Sequence, residues 1–86
     1  MRVVLLSSIA LRQFNDLDES QRTRIKLALN AFASDGRGDV KKLKGTKGRE
    51  SLYRLRVGEY RINLAQHDEK ILVTQIIPRS HGYDWL

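Results

Sequence analysis

The sequence contains no cysteine and only one proline, and its apolar runs are short. Without cysteine the chain has no disulfides, no thiolate-ligated zinc sites and no cysteine nucleophiles. The apolar run near the N-terminus, Val3–Leu6, is far too short for a signal-peptide core or a membrane span. Two histidines far apart and no organised carboxylate cluster make a poor metal site. We therefore expect a protein of the reducing cytoplasm that carries no metal and no small-molecule cofactor.

Acidic residues are outnumbered, with 10 Asp and Glu against 16 Lys and Arg, for a net charge of +6. A basic balance favours a nucleic acid, an anionic membrane or an acidic protein as the partner. Lysines scattered over the surface for solubility would give the same count. The length of 86 residues and the hydrophobic content of 41% fit one globular domain covering residues 1–86. Where the charges lie decides between these alternatives.

The first part of the chain reads as a strand followed by two helices. Residues 2–6 contain the apolar run Val3–Leu6, which begins with two β-branched valines and is typical of a strand. Ser7 or Ser8 caps a first short helix. The segment Asp18–Gln21 has the form of a capping box, in which the first side chain accepts from the first turn and the last reaches back. It opens a second helix that ends at Asp35-Gly36, so the two helices form a helical hairpin.

Residues 35–51 form the most irregular stretch, rich in glycine and in basic side chains. We predict a loop here that is either mobile and solvated or able to grip a phosphate. It is not a Walker loop, because GTKG lacks the required spacing and the following Lys-Ser/Thr pair. The candidate anion-binding side chains of this stretch are Lys41, Lys42, Lys44, Lys47 and Arg49.

From Leu52 onward apolar and polar residues alternate with a period of two, which indicates strands. Gly58-Glu59, with glycine first, suits a two-residue type II′ hairpin turn. Such a turn fixes the register, so that Arg56 pairs with Arg61 and Arg54 with Asn63. Paired residues share a face of the sheet. One face is therefore apolar, and the other collects three arginines, Arg54, Arg56 and Arg61.

A second turn is predicted at His67–Glu69, followed by a last strand over Ile71–Ile77 that Pro78 ends. The same parity puts Gln75, and beyond it Arg79, on the arginine face, unless a bulge shifts the count. The element order is β-α-α-β-β-β. We thus predict an α+β domain in which the helical hairpin packs on one face of a largely antiparallel sheet.

Three arginines of one sign side by side destabilise a sheet unless something outside the chain binds them. A polyanion on this face would convert their repulsion into affinity. The alternative is an ordinary solvated face, in which each arginine stem covers apolar surface. We favour the polyanion because no acidic residue is expected among Arg54, Arg56 and Arg61.

The segment LKGTKGRESLYRLRVGEYRINL, followed by a strand and PRSHGY, resembles the RelE/ParE superfamily of bacterial and archaeal toxins. Members share a leucine-lysine-glycine segment, a YR-x-R strand, a VG-[DE]-YR hairpin and a late arginine followed by tyrosine. The resemblance implies the RelE-like fold and a toxin of a type II toxin–antitoxin system. It also implies a metal-independent endoribonuclease that cuts messenger RNA in the ribosomal A site, blocks translation and is neutralised by a cognate antitoxin. A membrane partner is not expected.

The resemblance also assigns site residues. The hairpin arginine of the family corresponds to Arg61, and the paired basic residues of the preceding strand to Arg54 and Arg56. The late arginine corresponds to Arg79 and the tyrosine to Tyr83, while His81 lies where some relatives carry a histidine. The basic residues of the 35–51 stretch would then contact messenger RNA or 16S ribosomal RNA.

Ribonucleic acid carries its own nucleophile, the 2′-hydroxyl, beside the phosphate that it attacks. Arg61 and Arg79 are expected to clamp that phosphate, because a guanidinium donates two parallel hydrogen bonds and stays cationic. Either His81 or Tyr83 is the candidate acid or base. Two alternatives remain open: a ParE-like inhibitor of DNA gyrase that cuts nothing, and a degenerate member that only binds its antitoxin. Retention of the full basic and tyrosine set favours the RNA-cutting branch.

Overall fold

The computed structural model describes residues 2–45 and 50–78, which form two helices and one five-stranded sheet. The sheet order is β1-β5-β4-β3-β2, with β1 parallel to β5 and the other neighbours antiparallel. The α+β prediction, with the helices on one face of a largely antiparallel sheet, is confirmed. The elements are β1 Val3–Leu6, α1 Ser8–Asn15, α2 Glu19–Asp35, β2 Asp39–Gly45, β3 Glu50–Val57, β4 Tyr60–His67 and β5 Lys70–Pro78.

The sheet has one strand more than predicted, because β2 lies inside the stretch interpreted as a loop. β2 pairs antiparallel with β3, and Val40 stands opposite Leu55 and packs against the core. A register shift between Lys42 and Lys44 breaks the alternation of period two that marks a strand in sequence. Lysines are also the residues that edge strands use to resist further pairing. The loop prediction is therefore wrong for 39–45 and for 50–51, which begin β3, and residues 46–49 lie outside the described part of the chain.

Both helices begin at the predicted caps. Ser7 caps α1, with its Oγ accepting a hydrogen bond from the Ala10 N–H at 3.0 Å. Asp18 caps α2 and accepts from the Gln21 N–H at 2.8 Å. The reciprocal bond expected of the Gln21 side chain does not form, since its Oε1 is buried and has no hydrogen-bond partner within the described residues. Only half of the predicted capping box is present.

The C-terminus of α2 is closed by a glycine and by an arginine from the start of the chain. Gly36 adopts the left-handed conformation, with φ of 70°, and its N–H donates to the Phe32 carbonyl. Arg2 donates from Nη2 to the Phe32 carbonyl at 2.9 Å and from Nε to the Ala33 carbonyl at 3.3 Å. Its guanidinium also lies 5.4 Å from the centroid of the Phe32 ring. Carbonyls of the last turn of the helix thus gain a cationic donor.

The core fills the space between the two helices and one face of the sheet. Burying these side chains is the main favourable contribution to folding. The side chains of this core are Ala10, Ile25, Leu29, Phe32 and Ala33 from the helices, and Leu55, Val57, Ile62, Leu64, Ile71, Val73 and Ile76 from the sheet.

No helix among residues 2–45 and 50–78 is long and apolar enough to cross a membrane.

A bulge in β5 changes which residues of that strand face the core. Asn63 pairs with Gln75, but Leu64 pairs with Val73, so Thr74 is the extra residue. Ile71 and Val73 are buried before the bulge and Ile76 after it, so the parity of the strand switches at Thr74. The predicted His67–Glu69 turn is shorter than expected, since His67 pairs with Lys70 and only Asp68-Glu69 form the turn.

Side chains from α1 and its N-cap hold this bulge. The Ser7 Oγ donates to the Thr74 carbonyl at 2.9 Å, and the Gln13 Oε1 accepts from the Ile76 N–H at 2.6 Å. The Thr74 hydroxyl donates to the Asn63 carbonyl at 3.2 Å. Backbone groups freed by the bulge thus find side-chain partners, as buried backbone groups require.

Substituting Gln13 by alanine should destabilise the fold, because it leaves the Ile76 N–H without its acceptor. An unsatisfied buried donor costs roughly 1–3 kcal/mol. Urea denaturation of Gln13→Ala should show a loss of this size. Asn30→Ala, which removes an exposed amide from α2, serves as the control and should stay within about 0.5 kcal/mol of the parent chain. Equal stabilities for the two variants would contradict the anchoring role.

The β3–β4 turn carries a second testable constraint at Gly58. Its φ is 57°, and a Cβ built there would lie 2.7 Å from the Arg24 Nη1. Gly58→Ala should cost about 1–2 kcal/mol from the left-handed backbone. The contact should add little, because the Arg24 guanidinium is the end of a flexible, exposed side chain that can move away. The cost should therefore be nearly the same in an Arg24→Ala background. Denaturation of the two single variants and the double variant measures it, and a much smaller cost in the Arg24→Ala background would show that the contact, not the backbone, is the constraint.

Candidate functional site

The β3–β4 ladder has the predicted register. Val57 pairs with Tyr60, Arg56 with Arg61 and Arg54 with Asn63. Of the two turn residues, Gly58 has a positive φ and Glu59 does not, which fits a type II′ turn.

Alternation along these strands separates apolar side chains from cations. Leu55, Val57, Ile62 and Leu64 are buried under the helices. The three arginines of the hairpin therefore belong to the opposite face, which we term the outer face.

Two cross-strand rows of side chains run over the outer face through β2, β3, β4 and β5. Each row is a chain of paired residues, and directly paired residues on one face have Cβ atoms about 4.5–5.5 Å apart. The arginine row consists of Asp39, Arg56, Arg61 and Ile77. The amide row consists of Lys41, Arg54, Asn63 and Gln75.

The expectation that no acidic residue accompanies the arginines is wrong. Asp39 pairs with Arg56 across the β2–β3 ladder, and it was missed because β2 was not predicted. The ion pairs found among residues 2–45 and 50–78, Arg37 with Asp35 and a weaker His67 with Asp68, do not involve it. The two rows still hold four cations against one carboxylate, so the surface remains basic.

The cations of the two rows differ in exposure. Arg56 is exposed, whereas Arg54 and Arg61 are half-buried. Half-burial of an arginine is typical of an aliphatic stem that lies on neighbouring side chains. Within the described part of the chain, no group of three or more His, Asp or Glu residues could hold a metal ion.

The basic residues predicted from the 35–51 stretch do not lie together. Lys41 joins the amide row beside Arg54, whereas Lys42 pairs with Tyr53 and so belongs to the face that packs against the helices. Lys44 is aligned with Leu52 in the β2–β3 ladder. The remaining predicted site residues lie outside the described residues: Lys47, Arg49, Arg79, His81 and Tyr83.

The prediction for Gln75 is confirmed. The prediction assumed a three-residue turn between β4 and β5. The structure has a two-residue turn and a bulge instead, and together these leave Gln75 on the predicted face. Gln75 pairs with Asn63 on the outer face, and the Asn63 Nδ2 donates to the Gln75 Oε1 at 3.2 Å. This contact places two amides beside Arg54.

Sequence reasoning missed an apolar area on the other half of the outer face. Val3 and Leu5 of β1 are 54% and 46% exposed, and Leu72 of β5 is 38% exposed. Leu5 and Leu72 border a shallow pocket with Ala65, His67 and Lys70. The run VVLL signalled a strand, but only the parallel pairing of β1 with β5 shows that half of its side chains remain uncovered.

A second apolar feature lies on the helical side of the molecule. A groove of about 310 Å³ opens between α1, α2 and β1. Its apolar lining includes Leu6, Leu11, Phe14 and Leu29. Leu11, an exposed leucine on a short amphipathic helix, is the sequence signal that could have indicated it.

The chain resembles known toxins in sequence and in structure, although no family model matches it. Toxin RelE3 of Methanocaldococcus jannaschii is 30% identical over 84 residues, which is 95% of this chain and 96% of that protein. The archaeal RelE–RelB complex from Pyrococcus horikoshii OT3 aligns with a TM-score of 0.78 at 25% identity, covering 91% of this chain and 94% of the matched chain.

The RelB–RelE antitoxin–toxin complex from Methanococcus jannaschii aligns with a TM-score of 0.74 at 27% identity, covering 95% and 98% of the two chains. These similarities span nearly the whole chain and agree in sequence and in fold. On its sequence identity and coverage, the chain belongs to the RelE family of toxins.

Proposed function

We propose that this chain is the toxin of a type II toxin–antitoxin system, and that it cleaves messenger RNA in the A site of the ribosome. The observation that carries the proposal is the outer face, on which Lys41, Arg54, Arg56 and Arg61 stand in two adjacent rows. Membership of the RelE family supports it. A concentration of cations on a helix-free sheet face suits a single-stranded polyanion.

The reaction needs little covalent chemistry from the protein. The 2′-oxygen of a ribose attacks the adjacent phosphorus, the bond from phosphorus to the 5′-oxygen breaks, and a cyclic phosphate remains. The 2′-hydroxyl loses its proton and the departing 5′-oxygen gains one. The site must hold the two oxygens in line and neutralise charge on the phosphoryl oxygens, which positioned guanidinium groups accomplish.

Arg61 and Arg79 are the proposed clamp on the scissile phosphate, with Arg54 and Arg56 on it or on its neighbours. Arg61 is central in the arginine row, and Arg79 follows Pro78, which pairs with Tyr60 at the end of β5. His81 or Tyr83 supplies the proton transfer in this proposal, and Tyr83 can also stack on a base.

We propose an antitoxin as the second partner, because an exposed polyanion site must be covered while the cell grows. The outer face offers cations on β2, β3 and β4, and exposed apolar side chains on β1 and β5. An acidic, amphipathic segment matches both halves at once. The archaeal structural relatives are RelE proteins in complex with RelB, which supports a partner of this kind.

Replacing Arg61 by alanine should abolish cleavage while leaving the fold intact. Loss of one donor to the developing phosphoryl charge costs roughly 3 kcal/mol at the transition state, which lowers the cleavage rate by about 100-fold or more. Primer extension on a message translated by purified ribosomes measures the cuts. Arg12→Ala removes the same charge from the exposed surface of α1 and should cut like the parent chain. Normal cleavage by Arg61→Ala would refute the clamp.

The same assays separate the proposal from the gyrase-inhibiting alternative. The parent chain should produce cuts within codons only when the message is translated, and should leave DNA gyrase supercoiling unchanged. Intact transcripts together with lost supercoiling would indicate a ParE-like inhibitor. Intact transcripts with normal supercoiling and tight antitoxin binding would indicate a degenerate member.

Asp39 should weaken the binding of RNA, because its carboxylate lies in the arginine row and repels phosphate. Asp39→Asn should raise the affinity for a 2′-O-methyl RNA, which cannot be cut, by up to about 5-fold at low salt, and the gain should shrink as salt screens the charge. Asp35→Asn is the matched control, because Asp35 pairs with Arg37 at an exposed position outside the two rows. Equal effects of the two substitutions would point to net charge alone.

A further inference from the structure

We propose that the side chains of Asn63 and Gln75 form a subsite that reads the edge of a nucleobase. This inference rests on the proposed function in one respect, namely that the ligand of the outer face is single-stranded RNA. It adds to that function a source of sequence preference within the protein itself. The arginines hold phosphates, which carry no sequence information, whereas amides can distinguish bases.

The first argument is the position of the two amides. Asn63 and Gln75 are paired neighbours on β4 and β5, and Arg54 pairs with Asn63 from the other side. Arg54 and Asn63 are therefore separated by one strand spacing, about 4.8 Å. The ribose of a single nucleotide bridges a comparable span between its phosphate and its base. A nucleotide whose phosphate binds at Arg54 thus presents its base to Asn63 and Gln75.

The second argument is the set of hydrogen-bonding groups that remain. The Asn63 Nδ2 donates to the Gln75 Oε1 at 3.2 Å. This contact leaves the Asn63 Oδ1 as an acceptor and the Gln75 Nε2 as a donor, side by side. If both amides are turned over, the contact again leaves one carbonyl oxygen and one amino group. An adjacent donor and acceptor complement the edges of bases that single-stranded RNA exposes.

The third argument is the bulge at Thr74, which puts Gln75 on this face. Val73 before the bulge and Ile76 after it are both buried, so an unbulged strand would turn residue 75 towards the helices. The Thr74 hydroxyl donates to the Asn63 carbonyl, and the Ser7 Oγ donates to the Thr74 carbonyl. The backbone beneath both amides is thereby fixed, which reduces the entropy that the site loses on binding.

A purely structural role for the amide pair makes a different prediction. Exposed cross-strand pairs stabilise a sheet only slightly. If that were their whole role, removing them would lower stability slightly and leave the choice of cleavage sites unchanged. The test therefore measures site choice and stability separately.

The experiment compares near-isosteric variants that cannot hydrogen-bond. Asn63→Leu, Gln75→Met and the double variant are assayed by primer extension on one translated message, with the base at each cut recorded. Asn30→Leu, which removes an exposed amide from α2, is the matched control. Binding of the four 2′-O-methyl homopolymer RNAs is measured in parallel, since it does not depend on cleavage, and urea denaturation records stability.

A working subsite predicts that the double variant cuts at a broader set of bases than the parent chain does. A good bidentate amide contact is worth roughly 1–3 kcal/mol of discrimination, so the preference among the four RNAs should fall by about 10-fold. Asn30→Leu should keep the parent pattern.

Two results would overturn the inference: an unchanged distribution of cuts with unchanged preference among the RNAs, or a loss of all cleavage as deep as that of Arg61→Ala. If the parent chain cuts no RNA, the proposed ribonuclease function fails. The homopolymer binding then decides the subsite by itself, and equal binding of all four RNAs by the parent chain overturns it.

Discussion

The register of the β3–β4 hairpin is the constraint on which the outer face depends. A turn of two residues at Gly58-Glu59 leaves one way to pair the strands, and a slip of one residue would exchange the two faces. In the observed register Leu55 and Ile62 face the core together, and Arg56 and Arg61 face outward together. The repulsion between these arginines is outweighed by the burial of the whole apolar face, because that burial contributes far more free energy.

The bulge in β5 extends this arrangement from β2, β3 and β4 to β5. Without it the outer positions of β5 would fall out of step with those of β4. The bulge is fixed by α1 on the far side of the sheet, through Ser7 and Gln13. The helical layer therefore determines the composition of a surface that it does not touch. This explains why a short helix with few buried residues carries polar side chains that point at the sheet.

Local signals in the sequence were sufficient for part of this structure. The caps at Ser7 and Asp18 and the turn at Gly58 each act over a few residues, so their elements could be predicted. β2 could not be, because its lysines and its register shift hide the alternation, and its pairing with β3 depends on contacts that no local pattern records. Missing β2 also meant missing Asp39 opposite Arg56 and misplacing Lys42 with Lys41.

The contacts of the first strand have a consequence for how the domain assembles. β1 pairs in parallel with residues 70–73, while Arg2 reaches the end of α2 about 30 positions away. The β1–β5 pairing spans most of the chain and the Arg2 contact about a third of it. Such distant pairings form late and slowly. During synthesis the N-terminal strand must wait, without its neighbour in the sheet, until β5 has emerged from the ribosome.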